Sequence, residues 1–393
     1  MDFALPPDLV RWQQRVRTFV TEELQPHDAA IEETGLVPPQ AMEGLRRMGL
    51  FGTNTPKEYG GLGLSMLGSC LAIEEVAKAH TAFYYLSGVN VHIGSKPIEF
   101  AGTEAQRRRW LPELASGRTI GAFALTEPDA GSDAARLATT ARRDGDHYVL
   151  YGGKIYITNA PEAGLFTVFA TLDPALGSRG IAAFLVEAGA PGLTIGRTVE
   201  MAAGRGSHHA ELRFEDCRIP AANLLAGEGK GFALAMRCLD AGRTHWGAYC
   251  VGAAQRLLDL AVARASARET FGQRLRDHQG IEWMLADMAA ALHGARLVAY
   301  EAAWRYDGED AAARTRAAAL SKLIGADMVQ KVADTTLQIF GGSGYSKEQP
   351  IERIWRETRV VRILDGTSEM MRRIVARDLY RTADRRNAAF LSS

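Results

Sequence analysis

Asp365 stands in the run Ile363-Leu364-Asp365-Gly366-Thr367-Ser368, a carboxylate followed by a glycine and two hydroxyl residues. Burial of such a carboxylate raises its pKa and makes it a better base. The same side chain could instead cap a helix running from Thr367 onward. Far upstream, the turn-rich segment Thr126-Glu127-Pro128-Asp129-Ala130-Gly131-Ser132-Asp133 has a different chemistry. Thr126 and Ser132 offer hydroxyls, and Gly131 lets a backbone come close to a phosphate. Two further segments are Arg268-Glu269-Thr270-Phe271-Gly272-Gln273 and Gln338-Ile339-Phe340-Gly341-Gly342-Ser343-Gly344. A guanidinium pairs well with pyrophosphate, and glycines permit close backbone approach. Taken alone, Arg268 is a solvated helix-end charge and the glycines are a helix C-cap. Proton abstraction and phosphate recognition are the chemistries these residues allow.

The elements that must position them change in kind along the chain. Residues 1–119 are mainly helical. Thr103-Glu104-Ala105-Gln106 has the form of a capping box, predicting a helix through Leu111 and Leu114 that ends at Gly117. Leu71, Ile73 and Val76 fit another amphipathic helix. Residues 120–228 carry short β-branched and aromatic runs: Val149 to Tyr151, Lys154 to Thr158, Phe166 to Phe169, Ile181 to Val186 and Leu212 to Phe214. Asp144-Gly145-Asp146, Gly152-Gly153 and Pro191-Gly192 punctuate them, so a small antiparallel β domain is expected. Residues 229–393 are helical again. Ile281, Leu285, Met288 and Leu292 form one buried stripe, and alanine-rich stretches suit closely packed bundle helices.

Bulk properties exclude several classes. The 393 residues exceed one ordinary core, so two or three domains are expected. Forty-six basic residues balance forty-six acidic ones, which gives no global attraction to nucleic acid or to an anionic membrane. Cys70, Cys217, Cys238 and Cys250 are widely spaced, with no metal or disulfide pattern, which fits a reducing cytoplasmic setting. The acidic, proline-bearing start Met1-Asp2-Phe3-Ala4-Leu5-Pro6 does not have the form of a secretory or transit peptide. No G-x-G-x-x-G follows a strand; Gly227-Glu228-Gly229-Lys230-Gly231 has the wrong spacing. A dinucleotide would have to be held by loops and strand edges.

Three segments taken together are more specific: Phe123 to Asp133, Gly152-Gly153-Lys154-Ile155-Tyr156-Ile157-Thr158-Asn159, and Asp365-Gly366-Thr367. In this order and at these separations the chain resembles the acyl-CoA dehydrogenase family of flavoproteins over essentially its whole length. The resemblance implies an α+β fold with an N-terminal helical domain, a middle antiparallel β domain and a C-terminal four-helix bundle. It implies FAD, contacted by Phe123, Leu125, Thr126, Gly131, Ser132, Tyr156, Thr158 and Thr367. Arg268, Thr270, Phe271, Gln338 and Gly342 would reach FAD from a neighbouring subunit, so a homodimer, commonly a dimer of dimers, is implied. Ser132, Arg243 and Gly366 would contact the acyl-CoA substrate, and no metal is implied.

The implied reaction is α,β-dehydrogenation of an acyl thioester in fatty acid or amino acid catabolism, with electron-transfer flavoprotein as oxidant. Asp365 occupies the position of the base, which in the family is usually a glutamate. The shorter side chain retracts the carboxylate by about 1.5 Å. Some relatives carry the base just before the residue matching Arg243; here that position is Gly242, leaving Asp365 as the sole well-placed candidate. His208-His209 replace a small residue and threonine after Arg205 and Ser207. Adjacent strand residues point to opposite faces, so the two histidines are poorly arranged for one metal. Alternatives are a nitroalkane-oxidase-like flavin oxidase using the same aspartate, a dehydrogenase of carrier-protein-bound acyl groups, and a flavin- or CoA-binding protein without turnover.

Overall fold

The computed structural model describes residues 4–391. Met1, Asp2 and Phe3, which open the acidic N-terminal run, and Ser392 and Ser393 lie outside the described residues. The chain forms two compact units. One comprises the chain up to Ala72 together with Ala79–Gly242; the other comprises Ile73–Lys78 together with the chain from Arg243 onward.

In the first unit, helices include Pro7–Phe19, Pro39–Arg47 and Glu104–Ala115. The last begins with the capping box expected from sequence. The Thr103 hydroxyl accepts from the Gln106 amide at 3.2 Å, and the Gln106 side chain accepts from the Thr103 amide at 2.7 Å. Gln106 Nε2 also donates to the carbonyl of Ala222 at 2.7 Å, so one residue both caps a helix and ties it to the β region. Asn90 does similar work from a fully buried position. Its Nδ2 donates to the carbonyls of Phe51 and Leu114, and its Oδ1 accepts from the Gly121 amide.

The β region is an eight-stranded sheet. Its strands are β1 (Ile120–Ala124), β2 (Thr140–Asp144), β3 (His147–Thr158), β4 (Ala163–Thr171), β5 (Ile181–Glu187), β6 (Leu193–Val199), β7 (His209–Pro220) and β8 (Leu224–Leu225). The order is β6-β7-β3-β2-β4-β5-β8, with β1 added beside β4. The pairing is antiparallel except for β1 with β4 and the short contact of β2 with β4. Strands β4 and β5 are buried on both faces, which explains their unbroken apolar runs. Phe166, Val168, Phe184 and Val186 enter one core, whereas Leu165, Phe169, Ala183 and Leu185 enter another. The second core also takes Leu111 and Leu114 from the capped helix.

The two runs Val149 to Tyr151 and Lys154 to Thr158 belong to one strand, not two. Gly152-Gly153 reads as a turn in sequence, but β3 continues through it with a register shift. Gly152 has φ 141°, and a Cβ there would lie 2.7 Å from Thr139 Cα. The glycine therefore serves a bulge against a neighbouring backbone rather than a chain reversal.

The second unit is helical: the later part of Gly231–Ala267, then Gln279–Tyr306, Ala311–Phe340, Pro350–Arg359 and Ser368–Leu391. Of the expected stripe, Met288 and Leu292 are buried, and Ile281 and Leu285 are partly so. Small residues set the helix spacing. A Cβ on Gly247 would lie 1.9 Å from Ser321 Oγ, so these two helices meet where one has no side chain. Glu74 accepts from Arg296 Nε at 3.1 Å and from the Tyr300 hydroxyl at 2.8 Å, which fastens Ile73–Lys78 to the bundle. Three arginines near the C-terminus are paired: Arg353 with Glu357, Arg356 with Glu352 and Arg362 with Asp327. All four cysteines are buried, and none is in a disulfide. Among the described residues, no helix is long and apolar enough to cross a membrane.

Candidate active site

Asp365 lies in the link before the Ser368–Leu391 helix, with φ 50°, and Gly366 follows with φ 93°. Aspartate tolerates this left-handed region better than most residues because its short polar side chain can bond locally. The helix cap is Thr367, not Asp365: the Thr367 hydroxyl accepts from the Met370 amide at 3.3 Å. The Asp365 carboxylate is thereby released for another partner. Its Oδ2 accepts from Trp246 Nε1 at 2.9 Å, and its backbone carbonyl accepts from Arg243 Nε at 3.1 Å. Lys322 Nζ donates to the carbonyl of Gly366 at 2.5 Å. Three donors from two helices thus fasten the turn that carries the carboxylate.

The electrostatics follow from that enclosure. Burial pushes the Asp365 pKa up, opposed by the Lys322 charge, the Trp246 N–H and the Arg243 charge. Burial pushes Lys322 down to about 8, opposed by the Asp365 carboxylate. Arg243 is itself buried, with Nε committed to the Asp365 turn.

In the first unit the residues of the two upstream motifs come together. Ile155 N donates to the Thr126 carbonyl at 3.0 Å, which joins the loop after β1 to β3. Beneath this junction Lys154 Nζ meets Glu127 Oε1 at 2.7 Å, with both side chains buried, and also reaches the Leu125 carbonyl at 3.2 Å. Glu127 further accepts from the amides of Ala138 and Thr139. Burial pushes Lys154 down to about 8 against the pull of Glu127. On Glu127, burial raises the pKa, but Lys154 and the hydrogen bonds more than offset this and hold it below the ordinary range.

Around this ion pair, Thr126 and Thr158 are partly exposed, Tyr156 is 52% exposed at φ 58°, and Gly131 and Ser132 lie on the open loop. Phe123 is partly buried against Phe169, and the Leu125 side chain is in the core. The adjacent histidines separate, although only His209 lies in β7. His208 pairs with Glu162, and His209 is buried edge-on to Tyr85, its pKa pushed down to about 4 by burial.

The remaining nominated residues sit on exposed features of the second unit. Glu269–Thr270 and Gln273–Arg274 pair as a two-stranded hairpin. Phe271 and Gly272 form its tip with φ 52° and 80°, the signs that a type I′ turn needs. Phe271 is 99% exposed, an unusual place for a phenylalanine without a covering partner. Arg268, Gln338 and Gly342 are also exposed, and Thr270 is partly so.

Comparison with known proteins gives these arrangements a common origin. Residues 6–118, 122–217 and 229–380 match, in turn, the N-terminal, middle and C-terminal domain models of acyl-CoA dehydrogenase. The chain belongs to the acyl-CoA dehydrogenase family. It is 40% identical to the mitochondrial short-chain specific acyl-CoA dehydrogenase of Bos taurus, over 96% of this chain and 91% of that protein. It is 37% identical to the short-chain specific acyl-CoA dehydrogenase of Clostridium acetobutylicum, over 97% of this chain and 100% of that protein. The solved butyryl-CoA dehydrogenase of Megasphaera elsdenii is 35% identical and superposes with a TM-score of 0.93, covering 97% of this chain and 100% of that one.

As an acyl-CoA dehydrogenase the protein is an FAD-dependent oxidoreductase, and its fold has the family's helical, β and helical regions. The donor set of the first unit fits a flavin. Thr126 and Thr158 present hydroxyls with no protein partner among the described residues, and the Tyr156 ring is exposed. A flat aromatic heterocycle with polar edges suits such a surface.

Sequence reasoning missed Trp246, Lys322 and the Glu127–Lys154 pair. Trp246 had one available signal: it follows Arg243 by three positions on a helix, so the two share a face. Glu127 and Lys154 lay inside recognised motifs, but nothing local announces their pairing.

Proposed function

We propose that the protein dehydrogenates short-chain acyl-CoA thioesters at the α,β bond, with Asp365 as the base that removes the α-proton. The observation that carries this reading is the Asp365 carboxylate. It is the family's base position filled by a group whose pKa is raised by burial, on a turn fastened by Arg243, Trp246 and Lys322. A raised pKa brings a carboxylate closer to the acidity of the proton it must take. FAD supplies the acceptor, at N5, for the hydride that leaves the β-carbon. The Asp365 N–H is the candidate donor for the thioester oxygen, where negative charge develops as the α-proton leaves. Gly366 keeps the chain beside the base narrow.

Thr126, Tyr156 and Thr158 hold and cover the flavin in this reading, with Phe123, Leu125, Gly131 and Ser132 around it and Thr367 as a further contact. Ser132 and Arg243 serve the CoA ester. Arg268, Thr270, Phe271, Gln338 and Gly342 extend to the FAD of a second copy, which supports a homodimer or a dimer of dimers. The 99% exposed Phe271 supports that arrangement. Electron-transfer flavoprotein is the oxidant in this reading, and the compartment is the cytoplasm. Short acyl chains are favoured by the relatives named above.

Anaerobic mixing of the purified yellow protein with acyl-CoA esters of graded length tests the reaction. The flavin absorbance should bleach fastest with short linear esters of about the four-carbon length, in line with the short-chain relatives. Bleaching by nitroethane alone, followed by rapid O2 consumption, would instead assign a nitroalkane oxidase.

A further inference from the structure

Arg243 and Trp246 lie three residues apart on the Gly231–Ala267 helix, and both address the same distant residue. Arg243 holds the backbone of Asp365 and Trp246 holds its carboxylate. We propose that Trp246 is a positioning residue that occupies Oδ2 of Asp365 and so leaves Oδ1 as the oxygen that takes the proton. The proposal rests on the reading of Asp365 as the base.

The chemistry of the donor matters. An indole N–H donates one hydrogen bond, accepts none and does not titrate in the working range. It can therefore hold a carboxylate oxygen without ever competing for the substrate's proton. Lys322 and Arg243 are the charged groups that act on Asp365, and both direct a donor to a backbone carbonyl of the turn. Trp246 is the donor that engages the carboxylate itself. Its ring is nearly fully buried and stands edge-on to Tyr249 at 5.1 Å and 75°, so the N–H direction is fixed by packing. Aspartate has two side-chain torsions, and one bond at Oδ2 together with a pinned backbone leaves little freedom in either.

The bond also favours the charged form, so its loss should raise the pKa of Asp365. The test uses the holoenzyme with butyryl-CoA. In Trp246→Phe the acid limb of kcat/KM should move up by about one pH unit or more, and kcat should fall about tenfold to hundredfold with little change in KM. Infrared difference titration of the substrate-free protein should show the Asp365 carboxyl shifting in the same direction. Replacing Trp246 with β-(3-benzothienyl)alanine, which keeps the shape and lacks the N–H, should reproduce both effects even where Trp246→Phe folds poorly. Trp246→His, read above its own pKa where one ring N–H remains, should recover part of kcat. Unmoved acid limbs in both the phenylalanine and benzothienyl variants overturn the positioning role. Asp365→Asn separates this from failure of the underlying reading. If Asp365→Asn is inactive while the Trp246 variants behave as wild type, only the positioning role falls. If Asp365→Asn turns over normally, the assignment of the base falls first.

Discussion

Asp365→Asn is expected to lower the rate of flavin bleaching by about 10²- to 10⁴-fold, the usual range for removing a positioned general base. Asparagine is nearly isosteric, and its side-chain oxygen can still accept from Trp246 Nε1, so the 2.9 Å contact has a surviving counterpart. The backbone contacts from Arg243 and Lys322 are untouched by the change. Flavin content and melting temperature should therefore stay near wild type while proton removal fails. Stopped-flow absorbance measures the bleaching, the static absorbance spectrum the flavin content, and calorimetry the melting temperature. The wild-type pH profile gives a second check. Because burial raises the Asp365 pKa, the active anion is depleted first on the acid side. The bleaching rate should rise with pH through a midpoint above the ordinary carboxylate value of about 4. Asp365→Asn should abolish that limb. An unchanged limb would transfer it to another group.

Lys154→Met should destabilise the first unit by about 3–5 kcal/mol, because it leaves the Glu127 carboxylate buried without its partner. For a unit of this size that corresponds to a fall in Tm of roughly 6 to 20 °C. Bound FAD should be lost in parallel, since Lys154 also holds the Leu125 carbonyl and Glu127 organises the amides of Ala138 and Thr139. The double variant Glu127→Gln with Lys154→Met should recover much of the stability, as removing both charges ends the desolvation cost. The pH dependence has a defined sign. Glu127 has a lowered folded pKa, so its contribution is present above its unfolded value near 4.3 and is lost as pH falls below it. Lys154 is lowered to about 8, so the folded state favours its neutral form. Below about pH 8 both members of the pair are charged, and the burial penalty on the Lys154 charge is relieved as pH rises from about 8 toward the unfolded value near 10.4. Calorimetric Tm against pH for wild type and Lys154→Met isolates both effects.

What could be read from the sequence divides by distance along the chain. The capping box of Thr103 and Gln106 was visible because its partners are three residues apart. Runs such as Ile181 to Val186 announced strands through their side chains alone. The order of helical, β and helical regions followed from the change in period. Gly152-Gly153 misled because a glycine needed for a bulge and one needed for a turn look alike until Thr139 is placed beside it. The alternative reading of Asp365 as a helix cap gives way for a related reason. Thr367, two residues on, satisfies the helix, while the Asp365 side chain turns to Trp246, 119 positions away. No local signal specifies such a pairing. Asp365 itself stood out only through its company with Gly366 and Thr367 and the motifs far upstream.

The four buried cysteines have a use that concerns neither catalysis nor redox chemistry. A thiol reagent attacks the thiolate, and burial pushes Cys217 up to about 11 and Cys250 up to about 12. At neutral pH, modification therefore counts molecules whose surroundings have transiently opened. Cys70, Cys217 and Cys238 belong to one compact unit and Cys250 to the other. The chain thus carries internal clocks for the breathing of each half, with no engineered label.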